Sequence, residues 1–311
     1  MNTKERKIDV VSVGELLTDL ISTDFVENMD EAENFRRIQG GSAANLAMNA
    51  ARLGNRVKLI ATVGNDDMGH FLYHTVQKSG ADCHDVRRVD LPTTLILVTR
   101  SKTVADFTPY RGADKEISAD QFPPHIFEQA KLFHTTCFAL SAEPAQSHIL
   151  SAAEKAAHHG CRLSIDLNYA EKIWPARDQA QHLVELFCEM GALIKVSEVD
   201  WERLYESPLE DFAAAAQHFL KLGATQVCIT MGSEGCYVAD KKEEHFLPAR
   251  EVDVKDTTGA GDAFWSGYLT AFAAGKSLLE CGKAGRRMAE IKLETFGNLP
   301  TRIDREQLFV D

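Results

Sequence analysis

The chain has 311 residues, with 34 Lys and Arg against 46 Asp and Glu, giving a formal net charge of −12. Hydrophobic residues make up 44% and charged residues 26%, globular proportions that exclude a disordered or collagen-like polymer. The acidic balance argues against a general binder of nucleic acid or of an anionic membrane, yet leaves room for a small anion at a local positive site.

The length allows one large α/β unit or two smaller ones and buries a core without staples. No targeting segment stands out: residues 1–9 are polar and charged, and the longest charge-free run, 38–51, is well short of a membrane span. The seven cysteines are scattered, odd in number and lack any CxxC pair, which argues against a disulfide framework or a structural zinc. A cytoplasmic location is the default expectation.

In chain order, a β-branched run at 8–14 opens the chain, and 15–39 holds no long amphipathic helix. A helical window at 42–54 precedes a strand at 56–64, and a second helix at 67–80 follows. Residues 90–112 again lack a helix; 93–99 read as a strand that 105–110 could pair with. Strands at 131–137, 161–167, 192–197 and 225–231 then alternate with helical windows at 143–160, 177–191 and 209–223. All five of these helical windows end on glycine, the usual stop signal. Such alternation predicts a mostly parallel sheet with helices on both faces, and the two helix-poor stretches predict a small β subdomain attached to it.

The most informative segment is Asp256-Thr257-Thr258-Gly259-Ala260-Gly261-Asp262, which leads into an apolar helical stretch at 263–274. Free N–H groups at a helix start, with small residues allowing close approach, suit an anion, and a carboxylate at its edge could take a proton from an attacking hydroxyl. The same residues also suit a plain helix start with a favourable N-terminal charge. A second segment, Gly40-Gly41-Ser42-Ala43-Ala44-Asn45, opens the helix at 42–54 and puts the Asn45 amide one turn in, where it could read ligand hydroxyls; a tight loop into an Ala-rich buried helix explains it equally. Other signals point elsewhere. His70 and His74 have metal-ligand spacing on a helix but read as surface residues, and the Walker-like 270–277 reads as a helix end with a glycine cap.

Taken together, the two glycine segments resemble the signature regions of the PfkB (ribokinase-like) sugar kinases. The resemblance extends from Val13-Gly14-Glu15-Leu16-Leu17-Thr18-Asp19 to about Gly275. Phe107-Thr108-Pro109-Tyr110-Arg111-Gly112-Ala113-Asp114, Asp166-Leu167-Asn168 and Lys195-Val196-Ser197 are most similar to fructokinases within that family. It implies a single ribokinase-like α/β domain over 1–311, with β-lid insertions at about 15–40 and 90–112, that transfers phosphate from ATP to a small sugar, most like fructose. Asp262 would be the general base, and the N–H groups of Gly259, Ala260 and Gly261 would hold the transferring phosphoryl group. Asp19, Gly40, Gly41 and Asn45 would bind sugar hydroxyls, with Tyr110 and Arg111 on the lid above. Asn168, Ser197, Thr230, Gly232 and Gly235 would line the nucleotide site, and exposed lid edges would pair two subunits into a homodimer.

Three departures from the family pattern bear on this expectation. Where the family has Asn-x-x-Glu, associated with Mg²⁺, this chain has Ser197-Glu198-Val199-Asp200; Asp200 is one methylene shorter and would reach a metal through water. Ala170 replaces a frequent Arg, removing a bidentate clamp for a carboxylate or phosphate and counting against an acid sugar. The segment at 295–300 lacks the usual Gly-Ala ending, which puts a monovalent-cation site beside Asp256 in doubt. Rival expectations are a family kinase acting on 2-keto-3-deoxygluconate, ribose or a nucleoside, and a catalytically silent sugar- or nucleotide-binding protein.

Overall fold

A computed structural model describes residues 6–26, 28–100, 107–295 and 299–310. The first half contains β1 (Ile8–Val13), β2 (Leu17–Phe25), β3 (Phe35–Gly40), α1 (Ser42–Arg52), β4 (Val57–Gly64), α2 (Asp67–Ser79), β5 (Val86–Val89), β6 (Leu95–Arg100) and β7 (Phe107–Tyr110). Next come α3 (Pro124–Gln129), β8 (Ala130–Thr136), α4 (Ala145–His158), β9 (Arg162–Asp166), α5 (Arg177–Glu189), β10 (Leu193–Ser197) and α6 (Glu198–Tyr205). The chain continues through α7 (Phe212–Leu222), β11 (Gln226–Thr230), β12 (Gly235–Asp240), β13 (Glu244–Pro248), α8 (Ala260–Ala273) and α9 (Leu278–Leu293).

Nine strands form one sheet in the order β13-β12-β11-β10-β9-β8-β1-β4-β5, parallel from β11 to β5, with β12 and β13 antiparallel at the far edge. Its central strands are apolar on both sides because both faces are covered. Along β1, Val11 and Val13 point into a core shared with Phe133, Phe187 and Phe219 on the α4–α5–α7 side. Val10 points the other way, into a core with Leu132, Leu193, Trp265 and Tyr268 beneath α1, α8 and α9. This is the expected mostly parallel sheet with helices on both faces. Helix stops fall where predicted: α2 and α7 end on Gly80 and Gly223, both left-handed.

The two helix-poor stretches form a separate four-stranded sheet, β3-β2-β6-β7. β2 pairs antiparallel with β3 and parallel with β6, and β6 pairs antiparallel with β7. The expected pairing of 93–99 with 105–110 is therefore present as β6 with β7; residues 105 and 106 lie outside the described residues, as do 296–298 of the C-terminal segment. Among the described residues no helix is long and apolar enough to cross a membrane. All seven cysteines are free and buried, and His70 and His74 are exposed on α2.

Candidate active site

The parallel strands end on the same side of the sheet, where open α/β folds bind ligands. Two helix N-termini converge there. Helix α8 starts from Gly259, a left-handed N-cap at φ 74°, in a turn held by the Thr258 N–H donating to Asp256 Oδ1 (3.0 Å). Thr257, Thr258 and Gly261 are exposed, so the turn is open to solvent. The N–H groups of Gly259, Gly261 and Asp262 meet no acceptor among the described residues, whereas Ala260 N–H donates to Thr257 O at 3.2 Å. Of the three amides expected to hold a phosphoryl group, Ala260's is thus engaged within the turn, and Asp262's is open instead.

Helix α1 provides the facing N-terminus. Gly41 precedes it at φ 99°, and a Cβ there would lie 2.4 Å from Glu15 O, so only glycine fits. Glu15, buried just past β1, accepts from Ser42 N–H (2.8 Å) and from the Thr136 hydroxyl on β8 (2.7 Å), locking α1 onto the sheet. Burial pushes the Glu15 carboxyl up to about 7 against these donors.

Between the two N-termini stands Asp262, half-buried on the first turn of α8. Its Oδ1 accepts from the Ser42 hydroxyl (2.7 Å) and its Oδ2 from the Asn45 amide (2.8 Å). Asn45 in turn accepts from Gln39 Nε2 on β3 (3.0 Å), which ties the four-stranded sheet to the carboxylate. Burial raises the Asp262 pKa above the ordinary carboxylate range and the Asp166 charge adds to this, while Ser42, Asn45 and Lys195 oppose it. From sequence, the helix start alone favours an easily ionised Asp262; the structure makes it a stronger base than that.

Of the other residues expected at the sugar, Asp19 and Gly40 lie together here. Asp19 on β2 lies so close to Gly40 that a Cβ there would sit 2.2 Å from Asp19 Oδ2. Its carboxylate has no hydrogen-bond donor among the described residues, and burial, then the negative charge of Asp262, pushes it up to about 7. Tyr110, at the end of β7, is 59% exposed. Arg111 differs from the expectation of a side chain ready above the substrate. Its guanidinium is held by buried Asp114 (3.0 Å from Nε) and by Ser141, and stacks 4.6 Å from the Phe138 ring. It ties the end of β7 to the short turn at 139–141.

Behind Gly261 lies a buried ion pair. Lys195 Nζ donates to both oxygens of Asp166 (2.9 and 2.8 Å) and stands 3.3 Å from where a Gly261 Cβ would be. Burial opposes the Lys195 charge, but Asp166 and Asp200 outweigh it and hold the ammonium above its usual range. Asp200 Oδ2 accepts from the Ser197 hydroxyl (2.5 Å) and N–H (3.1 Å), forming a capping box at the start of α6. Burial pushes Asp200 up to about 6 in spite of Lys195.

The expected nucleotide residues line the same sheet edge. Asn168 follows β9 and accepts from Phe138 N–H (3.1 Å). Thr230 ends β11, followed by a short turn containing Gly232; Gly235 at φ 118° opens β12, where a Cβ would meet Leu247 O at 2.1 Å. No group of three or more His, Cys, Asp or Glu among the described residues could hold a metal ion. Glu15, Ser42, Gln39 and Lys195 received no role from sequence. Ser42 and Lys195 stand within quoted motifs, but their partners, 220 and 29 residues away, were not readable.

Comparison with known proteins shows the family. The chain matches the pfkB family carbohydrate kinase description over residues 7–302. It is 32% identical over 293 residues to an ATP-dependent 6-phosphofructokinase of Thermoanaerobacterium thermosaccharolyticum, covering 94% of this chain and 90% of that protein. It is 33% identical over 278 residues to a probable fructokinase-3 of Arabidopsis thaliana, covering 87% and 79%. The solved structure of Halothermothrix orenii fructokinase superposes with a TM-score of 0.79 at 30% identity, covering 91% of this chain and 96% of that one.

Proposed function

Because the chain belongs to the pfkB family of carbohydrate kinases and is an ATP-dependent sugar kinase, we propose that it phosphorylates a hydroxyl of a small neutral sugar, most simply fructose, with Asp262 as general base. The observation that carries this reading is the placement of Asp262. One carboxylate, aimed by Ser42 and Asn45, adjoins open amides at the start of α8.

The reaction needs alignment and charge neutralisation more than covalent help. Sugar hydroxyls bind Asp19 and Asn45 next to Gly40 and Gly41, presenting one hydroxyl to Asp262. That hydroxyl oxygen bonds to the γ-phosphorus of ATP as the bond to the β-bridging oxygen breaks, and its proton passes to Asp262. The amides of Gly259, Gly261 and Asp262 donate to the phosphoryl oxygens, and the Lys195 charge lies behind Gly261. Asn168, Thr230, Gly232 and Gly235 flank the nucleotide. The β3-β2-β6-β7 sheet with Tyr110 excludes water that would otherwise take the phosphoryl group.

Mg²⁺ fits this donor set only through water. Both Asp166 oxygens are on Lys195 and one Asp200 oxygen is in the α6 cap, which suits a cation bound chiefly by ATP phosphates and waters. Bound there, it would neutralise charge on the β- and γ-phosphates. The whole chain is read as one unit with its lid, working in the cytoplasm as a homodimer that covers the lid edges; a concentration-independent monomer in light scattering would refute the dimer.

A second reading, fructose 6-phosphate as acceptor, is favoured by the likeness to the 6-phosphofructokinase. Against it stand the two carboxylates of the sugar subsite, Asp19 and Asp262, and the commitment of Arg111 to Asp114. The deciding experiment is a panel of fructose, ribose, 2-keto-3-deoxygluconate, a nucleoside and fructose 6-phosphate with ATP and Mg²⁺, followed by ADP release. Fructose is expected to give the highest kcat/KM. Turnover of none of them, with sugar and ATP still bound in calorimetry, would mark a silent binding protein.

A further inference from the structure

The mechanism above makes no use of Lys292, on the last turn of α9, although its side chain is only 10% exposed. Its ammonium donates to Asp256 Oδ2 at 3.2 Å, and its Cε lies 4.0 Å from where a Gly259 Cβ would be. The other Asp256 oxygen accepts from Thr258 N–H (3.0 Å), immediately before the Gly259 cap. The same helix end holds the preceding backbone: Lys255 N–H donates to Leu293 O at 2.8 Å and Asp256 N–H at 3.4 Å. A fixed cation, a carboxylate and the turn that carries the open amides therefore form one continuous contact.

We propose that Lys292 is a positioning residue for phosphoryl transfer, a cation built into the chain that holds the 256–259 turn so that its amides stay aimed at the migrating phosphoryl group. This inference rests on the kinase reading. Donors fixed before the reaction stabilise developing charge without reorganising. Because Asp256 already carries the chain's own ammonium, the enzyme needs no added small monovalent cation.

The test compares wild type, Lys292→Met and Lys292→Arg with ATP and the best sugar of the panel. The assay is run with tetramethylammonium as the sole monovalent cation and then with ammonium or potassium added. Wild-type kcat is expected to be the same in all three. Lys292→Met should lose about ten-fold or more in kcat with sugar KM nearly unchanged, and added ammonium should restore part of it by entering the space the side chain left. Lys292→Arg should retain more activity than the methionine variant. An unaffected kcat in Lys292→Met, or a loss that ammonium does not relieve, would overturn the proposal; if that variant does not fold, Lys292→Gln is read the same way. A wild type inactive on every sugar overturns the kinase reading itself, whereas an active wild type with an indifferent Lys292→Met overturns only this inference.

Discussion

Replacing Ser42 by alanine isolates what the Asp262 carboxylate gains from its donors. The Ser42 hydroxyl lies 2.7 Å from Asp262 Oδ1 and stabilises the ionised form, so its removal makes the proton harder to lose and raises the pKa further. A hydrogen bond to a charged group is worth about 1.5–3 kcal/mol, and about 1.4 kcal/mol corresponds to one pH unit, which sets an upper range of about 1–2 units. Asp262 is only half-buried, so water will partly replace the hydroxyl, and the Asn45 donor at 2.8 Å remains. The expected result is an acid limb of kcat/KM for sugar displaced upward by roughly 0.5–1 pH unit, with the plateau rate nearly kept. ADP release measured from about pH 5 to 9 reads this directly. A limb that stays in place or moves to lower pH would refute the assignment of Asp262 as the titrating base.

Gly40→Ala puts a methyl carbon where Asp19 Oδ2 now lies 2.2 Å away, so the carboxylate must swing out. Loss of one or two charge-assisted bonds to sugar should raise sugar KM about 10–100-fold with a smaller effect on kcat; an unchanged KM would remove Asp19 from the sugar site. Lys195→Met strands the buried Asp166 and should cost about 3–5 kcal/mol in urea unfolding, more than the double change with Asp166→Asn; equal losses would deny the coupling. Glu15 is raised from 4.5 to about 7 in the folded state, so the native form keeps its proton longer than the unfolded chain. Its contribution to stability therefore declines as pH rises through that window, by up to about 3 kcal/mol, and Glu15→Gln should flatten the change between about pH 4.5 and 7. An identical slope in wild type and variant would contradict the burial of an ionising group there.

The physical basis of legibility differs from element to element. Strands such as β1 and β10 were readable because burial on both faces favours short runs dense in Val, Ile and Leu, and α2 and α7 because a periodic face ends on a glycine. β5 was not, since Val86-Arg87-Arg88-Val89 is a short edge strand whose arginines have room outside the core. α9 was also missed: it packs on α8 through small residues, with Ala284 O 2.5 Å from where a Gly267 Cβ would be, and small residues give little hydropathy signal. In the site, the glycine turn and Asp262 are local in sequence and stood out. Lys195, Glu15, Ser42 and Lys292 act through partners 29 to 220 residues distant, and only folding shows those pairings. Arg111 differs: Asp114, which takes up its guanidinium, is only three residues away, and only Ser141, 30 residues on, is distant.

Asp262→Asn is nearly isosteric and keeps hydrogen-bonding capacity toward Ser42 and Asn45, so it removes the proton acceptor with little else. Titration calorimetry of fructose and ATP, paired with single-turnover phosphate transfer, separates binding from chemistry on one sample. The account predicts binding close to wild type and a transfer rate lower by about 10²–10⁴-fold. Transfer at near-normal rate in that variant would contradict it.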